Sequence, residues 1–434
     1  MRTLLCLVLL LGCSDPLPAP TVDIRVITPD SRDPFDEATI TRIRLELQQD
    51  DADPVVTDQE VDADFDVGLI LENLTDRARV RVTLFDADGI AFHGAPPPFV
   101  PVASGGLVRI LVGPPGRCAV VPRAALPTAR ARRGHTRADT FAMLLAGLDG
   151  ETRSTGVTSI DLLRFDTFDD RTTGGLLPAL TLASGPARAA TFGTSRLLLV
   201  TDTSAARYDL AVTESREASV MLHPGATTRS AVASVGSAAV VAGGSTAAAT
   251  WINAEGRLVP ITLASSRLDG VVAEIGDVAL LTGGETPDGA PVAELLRADG
   301  TATPIAGTDG IRHQPVLLRS GDVLLLVGGL DADGTVRTDT LRFDGCPADC
   351  RVSAGPEWTN AREGVVAADD LLVGGAEVER FDGTSLVPFA TLQVSRRDPL
   401  VSRFESGVLL VAGGESDVPR NEVELCYPEA LTPL

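Results

Sequence analysis

Lysine is missing from this sequence, and all 37 basic residues of the 434-residue chain are arginine. The 59 acidic residues outnumber them and give a formal net charge of −22. Phosphate backbones and anionic lipid headgroups are bound by a local excess of cations, so a chain this acidic repels both. The sequence therefore predicts no nucleic-acid partner.

Aromatic residues and long apolar runs are scarce as well. Beyond the N-terminus there is no run of about 18 apolar residues, so no membrane-spanning helix is expected. Turn formers are abundant, with 42 glycines and 29 prolines beside 44% hydrophobic residues. This composition is typical of a turn-rich β protein and unlike that of a disordered chain.

Residues 1–13 have the features of an export signal. Arg2 supplies a positive start, and the apolar stretch Leu4–Leu11 is too short to span a bilayer. The stretch ends in Leu-Leu-Gly-Cys13, which resembles the lipobox of bacterial lipoprotein signal peptides. The resemblance implies lipidation of Cys13, a tether over residues 14–20 and anchoring to a membrane of the cell envelope through acyl chains. The alternative is an ordinary signal peptide with an incidental cysteine.

The residue after Cys13 bears on which membrane is reached. Some lipoproteins are retained at the inner membrane by an aspartate at that position, and this chain has Ser14 there. We therefore expect a membrane-anchored lipoprotein of the bacterial outer membrane.

Residues 21–115 alternate apolar and polar residues over short runs, as in ARVRVTLF (78–85). This period of two predicts half-buried strands, and about 95 residues of this kind suit a small β-sandwich. The pattern resembles immunoglobulin-like or transthyretin-like modules. Asp62, Asp64 and Asp66 have the spacing of a calcium loop, but Gly68 comes one place late and Asn73 stands where glutamate is needed. A solvated acidic loop is the competing interpretation.

Residues 118–430 carry an internal repeat. An aliphatic run that ends in a glycine pair, as in LLLVGG (324–329), occurs seven times. The second glycine position is Gly147, Asp202 (where the glycine is lost), Gly244, Gly284, Gly329, Gly375 and Gly414. The mean step is about 44 residues, which lies in the range of β-propeller blades. The predicted fold class is all-β, a small β-sandwich followed by a seven-bladed β-propeller.

Two further sequence features recur together with the glycine pairs. An Arg-aromatic-Asp triplet, such as Arg342-Phe343-Asp344, follows them in several units. An arginine also precedes each pair, at Arg133, Arg188, Arg229, Arg267, Arg312, Arg362 and Arg397. Together these marks resemble the kelch repeat, most closely in the first unit with Arg133-Gly134-His135, although the tryptophan of kelch units is missing nearly everywhere.

The seven leading arginines have two interpretations. If the first strand of each blade is innermost, they form a ring at one mouth of the central channel and could bind an anionic ligand. Alternatively, they pair with acidic residues between blades and serve the structure alone.

Four cysteines remain once Cys6 and Cys13 are assigned to the signal and the lipid anchor. An even number in an exported chain predicts two disulfides. The repeat favours Cys346–Cys350 within unit five. It also favours Cys118–Cys426, because unit seven lacks a fourth strand and residues 118–121 (CAVV) could supply it and close the ring.

The expected function is that of a non-enzymatic binding or scaffold module with no metal and no cofactor. The kelch-like fold also occurs in the copper enzyme galactose oxidase, but two tyrosines and four histidines are few residues from which to build its copper site. A serine hydrolase is not expected either, because no serine-nucleophile motif occurs. A carbohydrate site is the further alternative, and aromatic residues at 4% are few for it. A protein partner is expected at the loops between the second and third strands, whose lengths vary among units.

Overall fold

The computed structural model describes residues 21–30, 32–37, 39–49, 52–61, 68–70, 78–95, 107–121, 131–139, 142–148, 154–158, 188–193, 196–201, 204–209, 218–287, 289–307, 309–404, 406–418 and 420–431. In these ranges the regular secondary structure is β-strand, apart from one short helix, α1 (Pro34–Glu37). None of its described helices has the length and apolar character that crossing a membrane requires.

The N-terminal domain consists of two packed sheets. Its strands are β1 (Thr21–Ile27), β2 (Arg42–Gln49), β3 (Val55–Glu60), β4 (Gly68–Ile70), β5 (Ala78–Phe85), β6 (Ile90–Gly94) and β7 (Leu107–Leu111). One sheet has the order β4-β1-β7 and the other β3-β2-β5-β6. Alternate side chains of β2 and β5 enter a common core with Ile110, in which Ile43 and Val82 are fully buried. The predicted β-sandwich is confirmed.

Strand β3 lies within the acidic stretch of residues 50–66 and was not predicted from the sequence. All six of its residues are exposed, so the sequence has no alternation to reveal it. It lies at the edge of its sheet beside β2, where Asp58 accepts two hydrogen bonds from the Arg44 guanidinium. The proposed calcium residues Asp62, Asp64 and Asp66 lie outside the described residues.

The described residues from Cys118 onward form seven further sheets, here called blades. Blade one contains β9 (Ala131–Asp139), β10 (Ala142–Leu148) and β11 (Ser154–Thr158); blade two contains β12 (Arg188–Phe192), β13 (Arg196–Val200), β14 (Ala205–Asp209) and β15 (Ala218–Ser219). Blade three contains β16 (Ala231–Val235), β17 (Ala238–Ala242), β18 (Ala248–Ile252) and β19 (Leu258–Thr262); blade four contains β20 (Val271–Ile275), β21 (Val278–Thr282), β22 (Ala293–Leu296) and β23 (Ala302–Ile305).

Three blades complete the ring. Blade five contains β24 (Val316–Ser320), β25 (Val323–Val327), β26 (Leu341–Asp344) and β27 (Arg351–Ala354), and blade six contains β28 (Val366–Ala368), β29 (Leu371–Phe381) and β30 (Leu386–Arg396). Blade seven contains β31 (Leu400–Arg403), β32 (Leu409–Ala412) and β33 (Val423–Cys426), and its fourth strand is β8 (Cys118–Val120).

The blades are arranged in a circle. The first strand of each blade contacts the first strand of the next, in the order β9, β12, β16, β20, β24, β28 and β31, and β31 returns to β9. These strands therefore line a central channel, and the seven-bladed propeller predicted from the repeat is confirmed. The blade without a glycine pair, around residues 197–203, is a true member of the ring.

The glycine pairs lie where each second strand leaves the sheet. Both glycines of the pair have positive φ in blades three, four, five and seven. At Gly284 the space is closed as well, because an added Cβ would lie 2.4 Å from the carbonyl oxygen of Leu268. A residue with a side chain would be strained there in backbone and in packing, which explains why the repeat keeps this mark.

The aromatic residue of the triplet packs between neighbouring blades. Phe343 is fully buried in a cluster that joins blades four and five, and Phe381 has the same role between blades five and six. In blade seven the equivalent position, opposite Leu409 as Phe343 is opposite Leu324, belongs to Cys426. Tyr427 is the next residue in the chain and does not occupy this position.

Tyr427 faces the N-terminal domain. It is fully buried in a cluster with Ile27 and Leu111, and its ring lies so close to Gly113 that a Cβ there would meet it at 2.1 Å. The Tyr427 N–H donates to Arg117 and its carbonyl accepts from Gly116, so this segment is hydrogen-bonded to the chain that leaves the sandwich. The two domains therefore share a packed interface at blade seven.

Both expected disulfides are present. Cys118 and Cys426 are bonded across β8 and β33, which are 308 residues apart in sequence. Cys346 and Cys350 are bonded across the turn between β26 and β27. The first bond lies in the cluster between blades six and seven, where it occupies the place of an aromatic side chain.

Candidate functional site: the channel mouth

The central channel contains a cavity of about 560 Å³. Its wall consists of small aliphatic side chains from the first strands, such as Ala231, Val271 and Val316. At the end where the first strands begin, polar and charged residues replace them, namely Arg188, His313, Gln314, Arg362, Glu363, Arg397, Asp398 and Glu415. We call this end the channel mouth, and it is the candidate site.

The leading arginines do not form one ring at this mouth. Arg267, Arg312 and Arg362 have a common position, in which the guanidinium donates to the carbonyl of the first glycine in its own blade. Arg312 is fully buried and Arg267 is 3% exposed. These two side chains belong to the interior of their blades and cannot contribute to an exposed cationic ring.

Two of these arginines form an ion pair with an acid of their own blade, and the third lies near one. Arg312 Nη2 lies 2.9 Å from Asp339, Arg362 Nη1 lies 2.9 Å from Glu379, and Arg267 lies in the field of Glu294. The pairing is therefore real, but it occurs within blades. Burial lowers the pKa of Arg267 to about 10, so its side chain still carries a charge at neutral pH.

In blade seven the same role belongs to Arg396 rather than to the predicted Arg397. Arg396 donates to the carbonyl of Gly413 at 3.0 Å and pairs with the buried carboxylate of Glu424. Arg397 is 49% exposed and lies 3.5 Å from Glu363 at the mouth. In blade three a histidine takes this position, since His223 Nε2 lies 2.8 Å from the carbonyl of Gly243. Neither substitute could be recognised from the repeat.

Arg229 links two blades at the mouth. Its Nε lies 2.7 Å from Asp269 of blade four, and its Nη2 lies 3.4 Å from Glu285. The predicted interblade pairing thus holds for this arginine. Of Arg133, the first member of the predicted ring, only the backbone position in β9 is described, opposite Gly147; its side chain lies outside the described residues.

A chain of backbone hydrogen bonds connects the blades at this mouth. Asp269 N–H donates to Arg229, Gln314 N–H donates to Asp269, and Asp398 N–H donates to Gly364. Asp269, Gln314 and Asp398 all have positive φ, between 47° and 56°. Non-glycine residues in this conformation are uncommon and are held by their surroundings. The mouth is therefore a rigid rim whose side chains have set directions.

Arg188 differs from every arginine discussed so far. It is the first residue of β12, opposite Val200, and its half-buried side chain lies in the wall of the cavity. Its Nε donates to the carbonyl of Thr228 in blade three at 3.0 Å. Burial lowers the pKa of Arg188, while Asp269 and Asp398 act in the opposite direction.

The loops between second and third strands lie around the same mouth. In blades four, five and seven, hydrogen bonds join the residue after the glycine pair to the residue three positions before the first strand, as between Glu285 and Leu268 or Glu415 and Arg397. These loops span residues 283–292 in blade four, 328–340 in blade five and 413–422 in blade seven. The two surfaces proposed from the sequence therefore form one face of the propeller.

The described residues do not fit a copper site. His223 is hydrogen-bonded through both ring nitrogens, His93 is buried in the N-terminal domain, and His313 faces Asp269. The Tyr427 phenol is fully buried at the domain interface. Among the residues whose side chains the structure describes, which do not include His135, no group of three or more histidine, cysteine, aspartate or glutamate side chains could hold a metal ion.

Comparisons by sequence found nothing: no family model matches the chain, and neither does any curated protein. Similar solved structures exist. A fungal alcohol oxidase of the AA5 family, in complex with copper, matches 72% of this chain and 76% of its own, with a TM-score of 0.50 and 12% identity. The structure of YjhT matches 57% of this chain and 95% of its own, with a TM-score of 0.42 and 11% identity. At such identities the likeness to the oxidase concerns the fold alone.

Proposed function

We propose that the protein is a bacterial cell-envelope lipoprotein whose kelch-like propeller is a non-enzymatic binding module, with its site at the channel mouth. The observation that carries this proposal is the cavity of about 560 Å³ that opens among fixed polar groups. Concave sites with apolar walls and a few placed polar groups are the usual form of small-ligand sites.

The composition of the mouth supports binding rather than catalysis. Its charged side chains are largely in ion pairs, such as Arg229 with Asp269 and Arg397 with Glu363. The described histidines that could act as a base have structural partners or, for His313, an aspartate neighbour. The oxidase alternative would need a metal, and the described residues do not offer its ligands.

The loops around the mouth are the proposed contact surface for a protein partner. They surround the cavity, and in blade seven the loop presents Val418 with 54% exposure. The lipid on Cys13 would hold this face at the surface of the outer membrane. A partner in the envelope could then contact the loops while a small ligand occupies the channel.

Filling the channel tests the proposal. Purified protein is screened by thermal shift against inorganic phosphate, acetate, free amino acids and neutral monosaccharides, and calorimetry gives the Kd of each hit. Ala233, which lines the cavity, is replaced in Ala233→Phe. The control Thr262→Phe places the same side chain on the exposed outer strand β19.

We expect at least one class of probe to bind, with an affinity lowered about tenfold or more in Ala233→Phe and unchanged in Thr262→Phe, because only the first variant occupies ligand volume. Binding that is indifferent to Ala233→Phe would place the site elsewhere and contradict the proposal. A panel in which nothing binds would contradict it as well.

A further inference from the structure

We propose that the cavity holds a small oxyanion, of the carboxylate or phosphate type, whose oxygens pair with the terminal nitrogens of Arg188. This inference rests on the proposed function and names the chemical class of its ligand. It is carried by the place of Arg188 in the ring, by its hydrogen bonding and by the charges around it.

The place of Arg188 is one where blades three to seven have an aliphatic residue, whereas blade one has His135 there, opposite Leu145. Strand pairing makes Arg188, opposite Val200, equivalent to the first residue of each later innermost strand. Those residues are Ala231, Val271, Val316, Val366 and Leu400. An aliphatic side chain thus satisfies the packing at this position. The desolvation penalty of a half-buried cation at this position is not offset by the packing contacts of its side chain.

The hydrogen bonding of Arg188 is incomplete. A guanidinium has five N–H donors, and in the described part of the chain only Nε has an acceptor, the carbonyl of Thr228. This single bond orients the group, since Nε is fixed against blade three and the two terminal nitrogens are left for other partners. Paired terminal N–H groups match the two oxygens of a carboxylate or phosphate.

The nearby acids do not replace such a partner. Asp269 already accepts two hydrogen bonds from Arg229 and lies 3.5 Å from His313. Asp398 influences Arg188 through its charge, but among the described residues neither carboxylate forms an ion pair with Arg188. Their charges oppose the lowering of the Arg188 pKa by burial, and among the described residues they leave its terminal donors available.

The remaining charges of the mouth would position the anion. Glu363 and Glu415 line the opposite part of the cavity, in blades six and seven, and repel an anion toward Arg188.

The competing explanation is that Arg188 only links blades two and three through Thr228. Titration calorimetry on the full chain, in low-salt buffer, separates the two with inorganic phosphate in one arm and acetate in the other. Three variants are compared: Arg188→Gln, Arg188→Lys and the control Arg297→Gln. The control removes the same charge from a residue that bonds to Thr303 far from the mouth.

We expect one of the two anions to bind the wild-type protein, and the anion that binds identifies the type of oxyanion. Arg188→Gln should weaken binding at least about tenfold, and Arg297→Gln should leave the affinity unchanged. Arg188→Lys should retain part of the affinity, because lysine supplies the positive charge but not the planar pair of donors of the guanidinium. A melting temperature of Arg188→Gln close to that of wild type would show that the fold is intact.

The inference is overturned if neither anion binds at millimolar concentration, or if Arg188→Gln binds as the wild type does. These failures are distinguishable from failure of the proposed function. A neutral sugar that binds and is blocked by Ala233→Phe would preserve the binding module while refuting the oxyanion. A chain that binds no probe at all would refute both.

Discussion

Arg396 and Glu424 form an ion pair in which both side chains are fully buried. The Glu424 carboxylate also accepts the N–H groups of Gln393 and Val394, at 2.7 and 3.1 Å. The carboxylate therefore fixes the chain segment that enters blade seven, while the guanidinium closes the end of β32 at Gly413. The adjacent Arg397 has none of these bonds.

This pair allows a test between two neighbouring arginines. Replacement in Arg396→Ala leaves the Glu424 charge buried without its cation, which should lower the free energy of unfolding by about 3–5 kcal/mol. Arg397→Ala removes an exposed ion pair with Glu363 and should cost at most about 1 kcal/mol. Urea unfolding of the two variants measures both values. Equal losses would mean that the buried role has been assigned to the wrong residue.

The two disulfides should differ in their contribution to stability. Cys118–Cys426 closes a loop of 308 residues, and Cys346–Cys350 closes a loop of 4. Chain-closure entropy then gives about 5–6 kcal/mol for the first bond, as an upper figure, and about 2 kcal/mol for the second.

Serine replacements at each pair, followed by thermal unfolding, measure this difference, with the second pair as the control for the first. Non-reducing peptide mapping checks the connectivity. A Cys118–Cys350 or Cys346–Cys426 peptide, or equal losses in the two double variants, would contradict the arrangement.

His93 should make the stability of the protein depend on pH. Burial at the domain interface lowers its pKa to about 4, against an ordinary value of 6.5, although its hydrogen bond to the Pro428 carbonyl acts in the opposite direction. The unfolded chain therefore takes up the proton first as the pH falls. The contribution of neutral His93 is complete above pH 6.5 and decreases below it, by about 2 kcal/mol between pH 7 and pH 5.

The free energy of unfolding, measured in urea at pH 7, 6 and 5, should decrease less steeply in His93→Gln than in wild type. The comparison of slopes cancels the carboxylates that both proteins share. Parallel slopes would show that the pKa of His93 in the folded protein is the same as in the unfolded chain, which would contradict this prediction.

In the proposed function, attachment of the lipid depends on a single residue, Cys13. Cys13→Ser should abolish incorporation of a labelled fatty acid and move the protein from the membrane fraction to the soluble fraction, since stable anchoring requires the acyl chains. A substitution of Cys6, which lies within the signal, is the control and should leave the labelling intact. Partition of the native protein into the aqueous phase of a detergent extraction would argue against the lipoprotein assignment.

The repeat could be predicted from the sequence because its marks coincide with backbone requirements. Gly284 and its counterparts have a left-handed backbone conformation at positions with no space for a Cβ atom, so they recur even where other residues of the repeat vary. The leading arginines could be assigned to their repeat position less reliably than the glycines. Arg396 and Arg397 are adjacent and chemically identical, and only packing against Glu424 decides which one is buried.

Two parts of the site depend on relationships that no local pattern contains. The exceptional place of Arg188 becomes visible only when strand pairing aligns it with Ala231 and Val271. The burial of Tyr427 depends on how the sandwich docks against blade seven, which involves residues more than 300 positions away in sequence, such as Gly113. Period and spacing describe a blade, whereas these contacts arise between blades and domains.

Strand β8 has a mechanical consequence. It is at once the continuation of the N-terminal domain and the outer strand of blade seven, so tension applied to the chain from the N-terminal side reaches the propeller at its seam. Because β8 runs antiparallel to β33, a pull along it would load their backbone hydrogen bonds in shear. The Cys118–Cys426 bond spans that seam and would carry the force covalently. A protein tethered at one end to a moving surface would in this way keep its ring closed under load.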